Sequence, residues 1–337
     1  MSAVVTVRST RRLGGVIVGA CLLLLGCGVR PHEQQLAAMS TIVRVTVYAR
    51  QAPAWDVLER QLSGFARLYD HRDGGLLADL NAAGRASVGE RVAATLTTAL
   101  DVAARTDGAF DPTILPLTEL WQFDAGGVLP DAAALAAAAE LVDWRRLRIY
   151  AGEARLAAGA RLDLGAIAKG AVVDHLADWL EQQGHANYLV EAGGDIILAG
   201  SKPDASAWRI WLRHPRQGEA PLTILSIPAQ PQRTSVVTSG DYERVTTIDG
   251  VAYHHILDPR SGRPAAPMVS VTVVGSSATE SDALATALFV LGPERAQAVA
   301  AVAGVEVLMV WPEESTAALQ FWSSAGFPAF SDAVNLN

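Results

Sequence analysis

The chain has 337 residues, of which 50% are hydrophobic, and it carries a formal net charge of −8 at pH 7. A chain of this length and apolar content can bury the core of one large domain or of two closely packed lobes. The acidic balance argues against nucleic-acid binding, because nucleic acids require a basic protein surface.

The first residues form a basic stretch followed by an apolar run that ends with the letters LLGC at Cys27. This pattern is typical of a secretory signal, and the run is too short for a membrane-spanning helix. The last four letters resemble a bacterial lipobox, which predicts cleavage before Cys27, lipidation of Cys27 and a lipid-anchored protein on the periplasmic side of a bacterial membrane. The alternatives are an ordinary signal peptide with an incidental cysteine and, from Arg11 and Arg12, a poorly matching twin-arginine signal.

Removal of the predicted signal, residues 1–26, would leave a mature region of 311 residues, 27–337. The net charge would change from −8 to −11, because three arginines and no acidic residues are lost. Cys21 would leave with the signal and Cys27 would carry lipid, so no intramolecular disulfide is expected. No Ser-, Gly- or Pro-rich linker divides the mature region, which favours a single domain.

The first half of the mature region alternates between strand and helix patterns. A strand is predicted over 41–49, helices over 55–69 and 90–106, and an alanine-rich helix over 132–142. The stretch 144–164 is predicted to contain two short strands, the second of them apolar over 154–164, before a helix over 167–180.

The second half is richer in strands. They are predicted over 186–190, 196–199, 208–214, 222–227, 242–248, 251–257, 269–274 and 305–311. Asp249 and Gly250 separate two of these runs and predict a tight hairpin. A helix over 280–291 is expected to stop at Gly292 and Pro293. Strands joined by hairpins, with helices between them, favour an α+β fold over a doubly wound parallel sheet.

The segment DLGAIAKG, residues 163–170, combines an acid, two glycines and a lysine where a strand gives way to a helix. The start of a helix offers free N–H groups and the positive end of the helix dipole, which favours phosphate. A nucleotide pyrophosphate is therefore the first ligand to consider. The alternative is that Gly165 only makes the turn and that Lys169 is solvated.

Asp282 and Thr286 stand four residues apart on a predicted helix and therefore share a face. A carboxylate and a hydroxyl on one face can hold a hard cation such as Mg²⁺. The alternative is a capping box from Thr279 to Asp282, with Thr286 simply packed.

The segment YHHILDPRSG, residues 253–262, ends the predicted hairpin, and strand alternation places His254 and His255 on opposite faces. The inward histidine could serve in proton transfer or phosphate binding, or it could be a satisfied core residue. Three further segments, GAFDPT (108–113), EAGGDI (191–196) and TSGDYERV (238–245), could be ordinary caps and turns or could approach a ligand closely.

The order of these segments is more informative than any one of them. MST near the start of the mature region, then GAFDPT, LDLGAIAKG, EAGGDI, SGDYERV, HHILDPRSG and SDALATALFVLG together resemble the ApbE family of FAD:protein FMN transferases, over residues 39–292. Many members of that family are periplasmic lipoproteins. The resemblance implies an α+β, T-fold-like, two-lobed single domain with mixed, largely antiparallel sheets, flanking helices and FAD in a cleft between the lobes.

The resemblance also implies the reaction, a Mg²⁺-dependent transfer of the FMN moiety of FAD to a threonine or serine hydroxyl of an acceptor flavoprotein, with release of AMP. The acceptor is expected to be a membrane-bound or periplasmic redox subunit. Carried over residue by residue, the protein ligands of the metal are Asp282, Thr286 and the carbonyl of Ala166. Asp282 and His255 are the predicted catalytic residues, with His255 in proton transfer or acceptor orientation. The predicted FAD contacts are Met39, Ala109, Phe110, Asp111, Asp163, Lys169 and Ile256.

The segment DGGLLADLN, residues 73–81, departs from the family, which often has a serine and further polar residues before Leu-Asn. A flavin contact from this loop is therefore not predicted. Two other functions remain open from the sequence, hydrolysis of FAD to FMN and AMP at the same site, and non-catalytic FAD storage or electron transfer. The metal-ligand pattern favours an enzyme over storage.

Overall fold

The computed structural model describes residues 28–72, 74–218, 220–313, 316 and 318–331. Its α-helices, numbered in chain order, are α1 (Trp55–Leu68), α2 (Leu76–Ala83), α3 (Glu90–Arg105), α4 (Leu115–Trp121), α5 (Ala132–Ala139), α6 (Ala168–Gln182) and α7 (Ala278–Ala300). The predicted signal and its cleavage site lie outside the described residues. Within the described part of the chain, none of the helices combines the length and hydropathy that crossing a bilayer requires.

The strands of the described residues form one large sheet and three small ones. In chain order they are β1 (Arg30–Ala38), β2 (Thr41–Ala49), β3 (Arg85–Ser87), β4 (Leu147–Tyr150), β5 (Glu153–Leu156), β6 (Tyr188–Ala192), β7 (Asp195–Gly200), β8 (Trp208–Arg213), β9 (Pro221–Ile227), β10 (Gln230–Gly240), β11 (Val245–Ile248), β12 (Val251–His254), β13 (Ser270–Gly275), β14 (Glu306–Pro312) and β15 (Leu319–Ser323). The large sheet has eight strands in the order β1-β2-β6-β7-β10-β13-β14-β15, and every neighbouring pair is antiparallel. The sequence-based prediction of an α+β fold is confirmed.

Both faces of the large sheet are covered. Helices α6 and α7 pack on one face, against β6, β7, β10 and β13. The β8–β9 hairpin covers the other face, where Trp208, Ile210 and Leu225 meet Val236 of β10 and Leu308 of β14. Because both faces are covered, β13 is buried along nearly its whole length, although Ser270 and Thr272 alternate with its valines.

A separate apolar cluster lies beside the main core. It joins Leu117 and Trp121 of α4 to Leu135 of α5 and to Leu257, just after β12. The indole N–H of Trp121 donates to the Gly262 carbonyl at 2.7 Å. This bond and the apolar contacts fasten the turn that follows the two adjacent histidines to α4.

The hairpin predicted at Asp249 and Gly250 is present between β11 and β12, and both turn residues have positive φ angles, 50° and 79°. The helix predicted to stop at Gly292 does break there, at φ 73° and ψ 169°, but a second helical segment follows it at once. Pro293 occupies the first turn of that segment, where a missing N–H costs nothing.

The strand predicted over 154–164 is wrong beyond Leu156, where β5 ends. The backbone beyond it bonds to a side chain instead of to a strand. Leu162 donates its N–H to Asn81 Oδ1 at 2.7 Å, and Asn81 Nδ2 donates to the Leu162 carbonyl at 2.9 Å. This two-point clamp from α2 places the residues that enter α6.

Candidate functional site

The first turns of α6 and α7 lie in direct contact, and Gly170 makes that contact possible. A Cβ atom at Gly170 would lie 2.2 Å from the carbonyl oxygen of Ala278 and 2.9 Å from Cβ of Asp282. Only glycine leaves room for such a close approach of two helices. The segment 163–170 is therefore fixed against the segment that carries Asp282.

Asp174, a residue not singled out from the sequence, caps the start of α7 from the neighbouring helix. Its carboxylate accepts hydrogen bonds from the hydroxyl of Ser277, from the N–H of Ala278 and from both the N–H and the hydroxyl of Thr279, over 2.7 to 3.1 Å. No single-sequence pattern links residue 174 to residue 277, since the two lie on different elements.

Asp282 is almost fully buried, at 3% exposure. Its Oδ2 accepts the Gly170 N–H at 3.1 Å, and its Oδ1 lies 3.8 Å from Lys169 Nζ. The N-cap residue of α7 itself is Ser277, whose side chain accepts from the Glu280 N–H. The alternative of a capping box ending at Asp282 is therefore wrong, because Asp282 faces α6 and not the start of its own helix.

Lys169 forms an ion pair with Asp195, the first residue of β7. Burial alone would lower the pKa of Lys169, but the carboxylates of Asp195 and Asp282 outweigh it and raise that pKa above its ordinary value. Burial also raises the pKa of Asp195, and repulsion from Asp282 adds to this effect. Two buried carboxylates thus share one ammonium group, which leaves the cluster short of positive charge.

Oxygen atoms suitable for a hard cation are carried by the two segments that meet at Asp282, residues 163–170 and helix α7. Among the described residues, no N–H or side chain donates to the Ala166 carbonyl, since the Gly170 N–H that would reach it in a regular helix donates to Asp282. Thr286 lies one turn beyond Asp282 on α7, with its hydroxyl 3.3 Å from that of Ser239. A carboxylate, a carbonyl and a hydroxyl in a cluster that lacks positive charge fit the ligand preferences of Mg²⁺.

The described part of the chain contains no group of three or more His, Cys, Asp or Glu side chains arranged to hold a metal ion. That finding does not oppose the predicted ligand set, because only Asp282 among its members belongs to those residue types.

The EAGGDI segment lies beside the MST segment. The β6–β7 turn is made by Gly193 and Gly194, and a Cβ atom at Gly193 would lie 2.8 Å from the hydroxyl oxygen of Thr41. Met39 and Ser40 form the adjacent β1–β2 turn with positive φ angles of 51° and 57°. Such angles are unfavourable for residues with side chains, and strain of this kind concentrates at functional sites.

Two of the acidic residues predicted to contact FAD are engaged within the protein. Asp111 is buried and accepts from the N–H and hydroxyl of Thr113 and from the N–H of Trp144. Asp163 accepts the Gly165 N–H at 2.8 Å and the hydroxyl of Thr118 at 2.9 Å. Both carboxylates therefore hold the loops around the junction in place, and their contacts with FAD remain predictions.

Three predicted FAD contacts, Ala109, Phe110 and Ile256, are buried members of the main core. The GAFDPT segment that carries the first two is joined to the 163–170 turn, because Asp163 donates its N–H to the Pro112 carbonyl at 3.0 Å. The segment thus reaches the same junction from the end of α3.

The two adjacent histidines have different surroundings. His254 Nε2 lies 2.9 Å from the Ala265 carbonyl and its Nδ1 accepts the Ile256 N–H at 3.3 Å, so both ring nitrogens are used within the fold. His255 Nδ1 faces the Arg244 carbonyl at 3.3 Å. Burial, with a contribution from the Arg244 charge, lowers the pKa of His255 to about 4, and the positive charge of Lys169 acts in the same direction.

The fold and this junction define an α+β protein whose polar centre combines buried carboxylates, oxygen ligands and one ammonium group, a set suited to binding a divalent cation and phosphate. Residues 39–309 match the model of the ApbE family. The chain belongs to the ApbE family.

Proteins similar to this chain include named flavin transferases. The chain is 36% identical over 335 residues to the FAD:protein FMN transferase of Treponema pallidum, covering 89% of this chain and 91% of that protein. Among solved structures, it is similar to the ApbE protein of Thermotoga maritima, with a TM-score of 0.80, 29% identity and coverage of 90% and 100% of the two chains. It is also similar to the flavin transferase ApbE of Vibrio cholerae, with a TM-score of 0.76, 30% identity and coverage of 90% and 99%.

Proposed function

We propose that the protein is an enzyme that transfers the FMN moiety of FAD to a threonine or serine hydroxyl of an acceptor protein, forming a phosphoester and releasing AMP in a Mg²⁺-dependent reaction. Its family and the names of its relatives support flavin transfer. One observation supports the Mg²⁺ dependence and the phosphoester chemistry. Asp282 is buried at the α6–α7 junction, 3.8 Å from the Lys169 ammonium, where segments that carry oxygen atoms suitable for a cation meet.

Asp282, Thr286 and the Ala166 carbonyl would hold the metal ion. When bound, Mg²⁺ would neutralise charge on the non-bridging oxygens of the pyrophosphate. Lys169 would add a second positive charge to the phosphates, and its elevated pKa keeps it protonated at neutral pH.

Nucleotide binding would involve the segments that meet at the junction. Further contacts with FAD are proposed for the side chains or backbone of Met39, Ala109, Phe110, Asp111, Asp163 and Ile256. Because the carboxylates of Asp111 and Asp163 already hold protein N–H and O–H groups, we expect these two residues to act chiefly by shaping the loops that meet FAD.

His255 is suited to accept the proton of the acceptor hydroxyl. A carbonyl oxygen only accepts hydrogen bonds, so the Nδ1 that faces Arg244 carries the hydrogen and Nε2 keeps a lone pair. The acceptor oxygen would bond to the FMN-side phosphorus and give its proton to Nε2, while the bridging P–O bond breaks and its electron pair leaves with AMP.

Water could replace the acceptor hydroxyl in the same geometry and would yield free FMN and AMP. The two reactions are separated by incubating the mature protein with FAD, Mg²⁺ and an acceptor protein bearing an Asp-x-x-Ser/Thr-Gly-Ala-Thr-like segment. Flavin fluorescence that stays with the denatured acceptor on a gel supports transfer, and free FMN supports hydrolysis. FAD that stays intact would contradict both, and would favour storage of the flavin.

The Asp282→Ala variant tests the metal assignment. We expect turnover to be abolished, because the variant lacks the only carboxylate in the proposed ligand set, while circular dichroism shows the fold largely preserved. Asp178→Asn is a suitable control, since this residue pairs with Arg233 at 2.7 Å elsewhere on the molecule. Full activity of Asp282→Ala with Mg²⁺ would contradict the assignment.

We further propose that the protein is lipid-anchored at Cys27 on the periplasmic side of a bacterial membrane. The proposal is supported by the basic stretch, the apolar run and the LLGC letters at the start of the sequence.

A further inference from the structure

Lys169 lies between two buried carboxylates but makes direct contact with only one of them. Its ammonium forms the ion pair with Asp195 Oδ2, while Asp282 Oδ1 is 3.8 Å away, beyond hydrogen-bonding distance. The ammonium is therefore held on the Asp195 side of the cluster.

The two carboxylates are fixed more firmly than the lysine. Asp195 is fully buried and directly follows the Gly193–Gly194 turn, where its backbone pairs with Ala192 of β6. Asp282 is held by the Gly170 N–H. Lys169 reaches both from the start of α6 on a flexible four-carbon stem, so the carboxylates determine where its ammonium rests.

Among the described residues, Asp195 has no cationic partner other than Lys169. Among the described residues, nothing donates a hydrogen bond to its Oδ1 atom, although buried polar atoms are nearly always satisfied. Burying a carboxylate is costly, and this one serves neither as a cap nor as a turn within the described structure. Its observed neighbours are the Lys169 ammonium and the carboxylate of Asp282, and only the ammonium offsets its charge.

We propose that Asp195 is a positioning residue that holds the Lys169 ammonium away from Asp282, so that Asp282 remains available to a divalent cation. This inference rests on the proposed function, in which Asp282 is a metal ligand. Without the negative charge of Asp195, the nearest carboxylate to the ammonium is Asp282. A direct ion pair there would compete with the metal for the same oxygen atoms.

The Asp195→Asn variant tests this role, because asparagine keeps the size of the side chain and removes its charge. Binding of Mn²⁺ alone, and of Mn²⁺ with ADP, is followed by the electron paramagnetic resonance signal of the free ion. We expect the dissociation constant to rise by about 10- to 100-fold, as is typical when a residue that supports a metal ligand is lost. Asp178→Asn, which removes a charge from an ion pair elsewhere on α6, should leave the constant unchanged.

Competition by the ammonium predicts a specific rescue. Lys169→Met should bind Mn²⁺ at least as tightly as the wild type, and adding Lys169→Met to Asp195→Asn should restore most of the lost affinity. The double variant also removes the lysine that has lost its Asp195 partner, so it keeps the test open if Asp195→Asn alone folds poorly in circular dichroism. Lack of rescue would instead indicate that Asp195 contacts the cation directly, and would overturn the inference.

The outcomes separate this inference from the metal assignment itself. If Asp282→Ala loses Mn²⁺ binding while Asp195→Asn binds as the wild type does, the metal site stands and the role of Asp195 is refuted. If the wild type binds no Mn²⁺ in either titration, or Asp282→Ala binds it as tightly as the wild type, the metal assignment fails and the role of Asp195 fails with it.

Discussion

His254 and His255 show how two neighbouring residues of one type can have different surroundings. The ring of His254 packs edge-on against Phe289 at 5.5 Å, and both of its nitrogens have partners inside the protein. His255 has one nitrogen directed at the Arg244 carbonyl and the other without such a bond among the described residues. Strand alternation predicts their opposite orientation, but the sequence does not show which histidine has a nitrogen left for chemistry.

A His255→Gln variant should lower turnover by about 10²- to 10⁴-fold, the usual contribution of a group that transfers a proton. Binding of FAD, measured by fluorescence titration, should change little. His254→Gln is the contrasting variant and should mainly lower the midpoint of thermal unfolding, because the Ala265 carbonyl and the Ile256 N–H lose their partner.

The lowered pKa of His255 gives this prediction a pH dependence. The neutral form accepts the proton, so kcat/KM should be independent of this group at neutral pH and should fall as the pH decreases through about 4. Wild-type turnover in His255→Gln would show that another group takes the proton.

Single residues also mark the limit of what the sequence predicts about the site. The spacing of Asp282 and Thr286 is a local signal, because four residues is one helical turn. Asp195 and Asp174 carry no such signal, since each acts on a residue of another element. Their roles follow from the packing of α6 against β7 and α7, which no local pattern encodes.

The contact between α6 and α7 depends on a missing side chain. Gly170 lies in the first turn of α6, where the Ala278 carbonyl and Asp282 fill the space that a methyl group would need. Gly64 in α1 is the opposite case, because a Cβ atom there would meet nothing within 4 Å. The same substitution at these two helical positions should therefore have opposite effects.

We expect Gly170→Ala to lower the free energy of unfolding by about 1–3 kcal/mol, the usual cost of overpacking, and to reduce turnover by displacing Asp282. Gly64→Ala should raise it by about 0.5–1 kcal/mol, because alanine is the better helix former, and should leave turnover unchanged. Both values are measured by urea denaturation. Equal effects of the two substitutions would show that the close approach of the helices has no energetic importance.

Elements with strong periodicity are the ones that the sequence predicts well. The strand over 41–49 has the same bounds in the structure, and helix α3 begins at the predicted residue. Strand β1, with the sequence RPHEQQLAA, was not predicted, because it lies at the edge of the sheet and buries little of its surface. Strand β10 was not predicted either, because its first five residues, QPQRT, are polar although most of the residues after them are buried.

The large sheet brings together segments that are far apart in the chain. β7 pairs with both β6 and β10, and β10 pairs with β13. The β6–β7 turn at residue 193 and the end of β10 at residue 240 therefore lie close to helices α6 and α7. The order of motifs indicates the family and hence this arrangement, whereas the periodicity alone supports only an α+β fold. Which contacts join the motifs could not be predicted without the fold.

The proposed lipid anchor concerns the whole chain, and Cys27 lies outside the described residues. In bacterial cells that express the full sequence, Cys27→Ser should shift the protein from the membrane fraction to the soluble fraction and abolish labelling with radioactive palmitate. Cys21→Ser is the matched control and should change neither, because this residue belongs to the predicted signal. Membrane association that survives Cys27→Ser would argue for another mode of attachment.

The cap that Asp174 provides for α7 has a consequence for how ligands bind. The N–H groups of Ala278 and Thr279 already donate to this carboxylate, and the Gly170 N–H on α6 donates to Asp282. Under the proposed function, an incoming pyrophosphate would find these three donors engaged, and Lys169 and a divalent cation would balance its charge. Nucleotide and cation would then be thermodynamically linked, and each would raise the affinity of the protein for the other by the same factor.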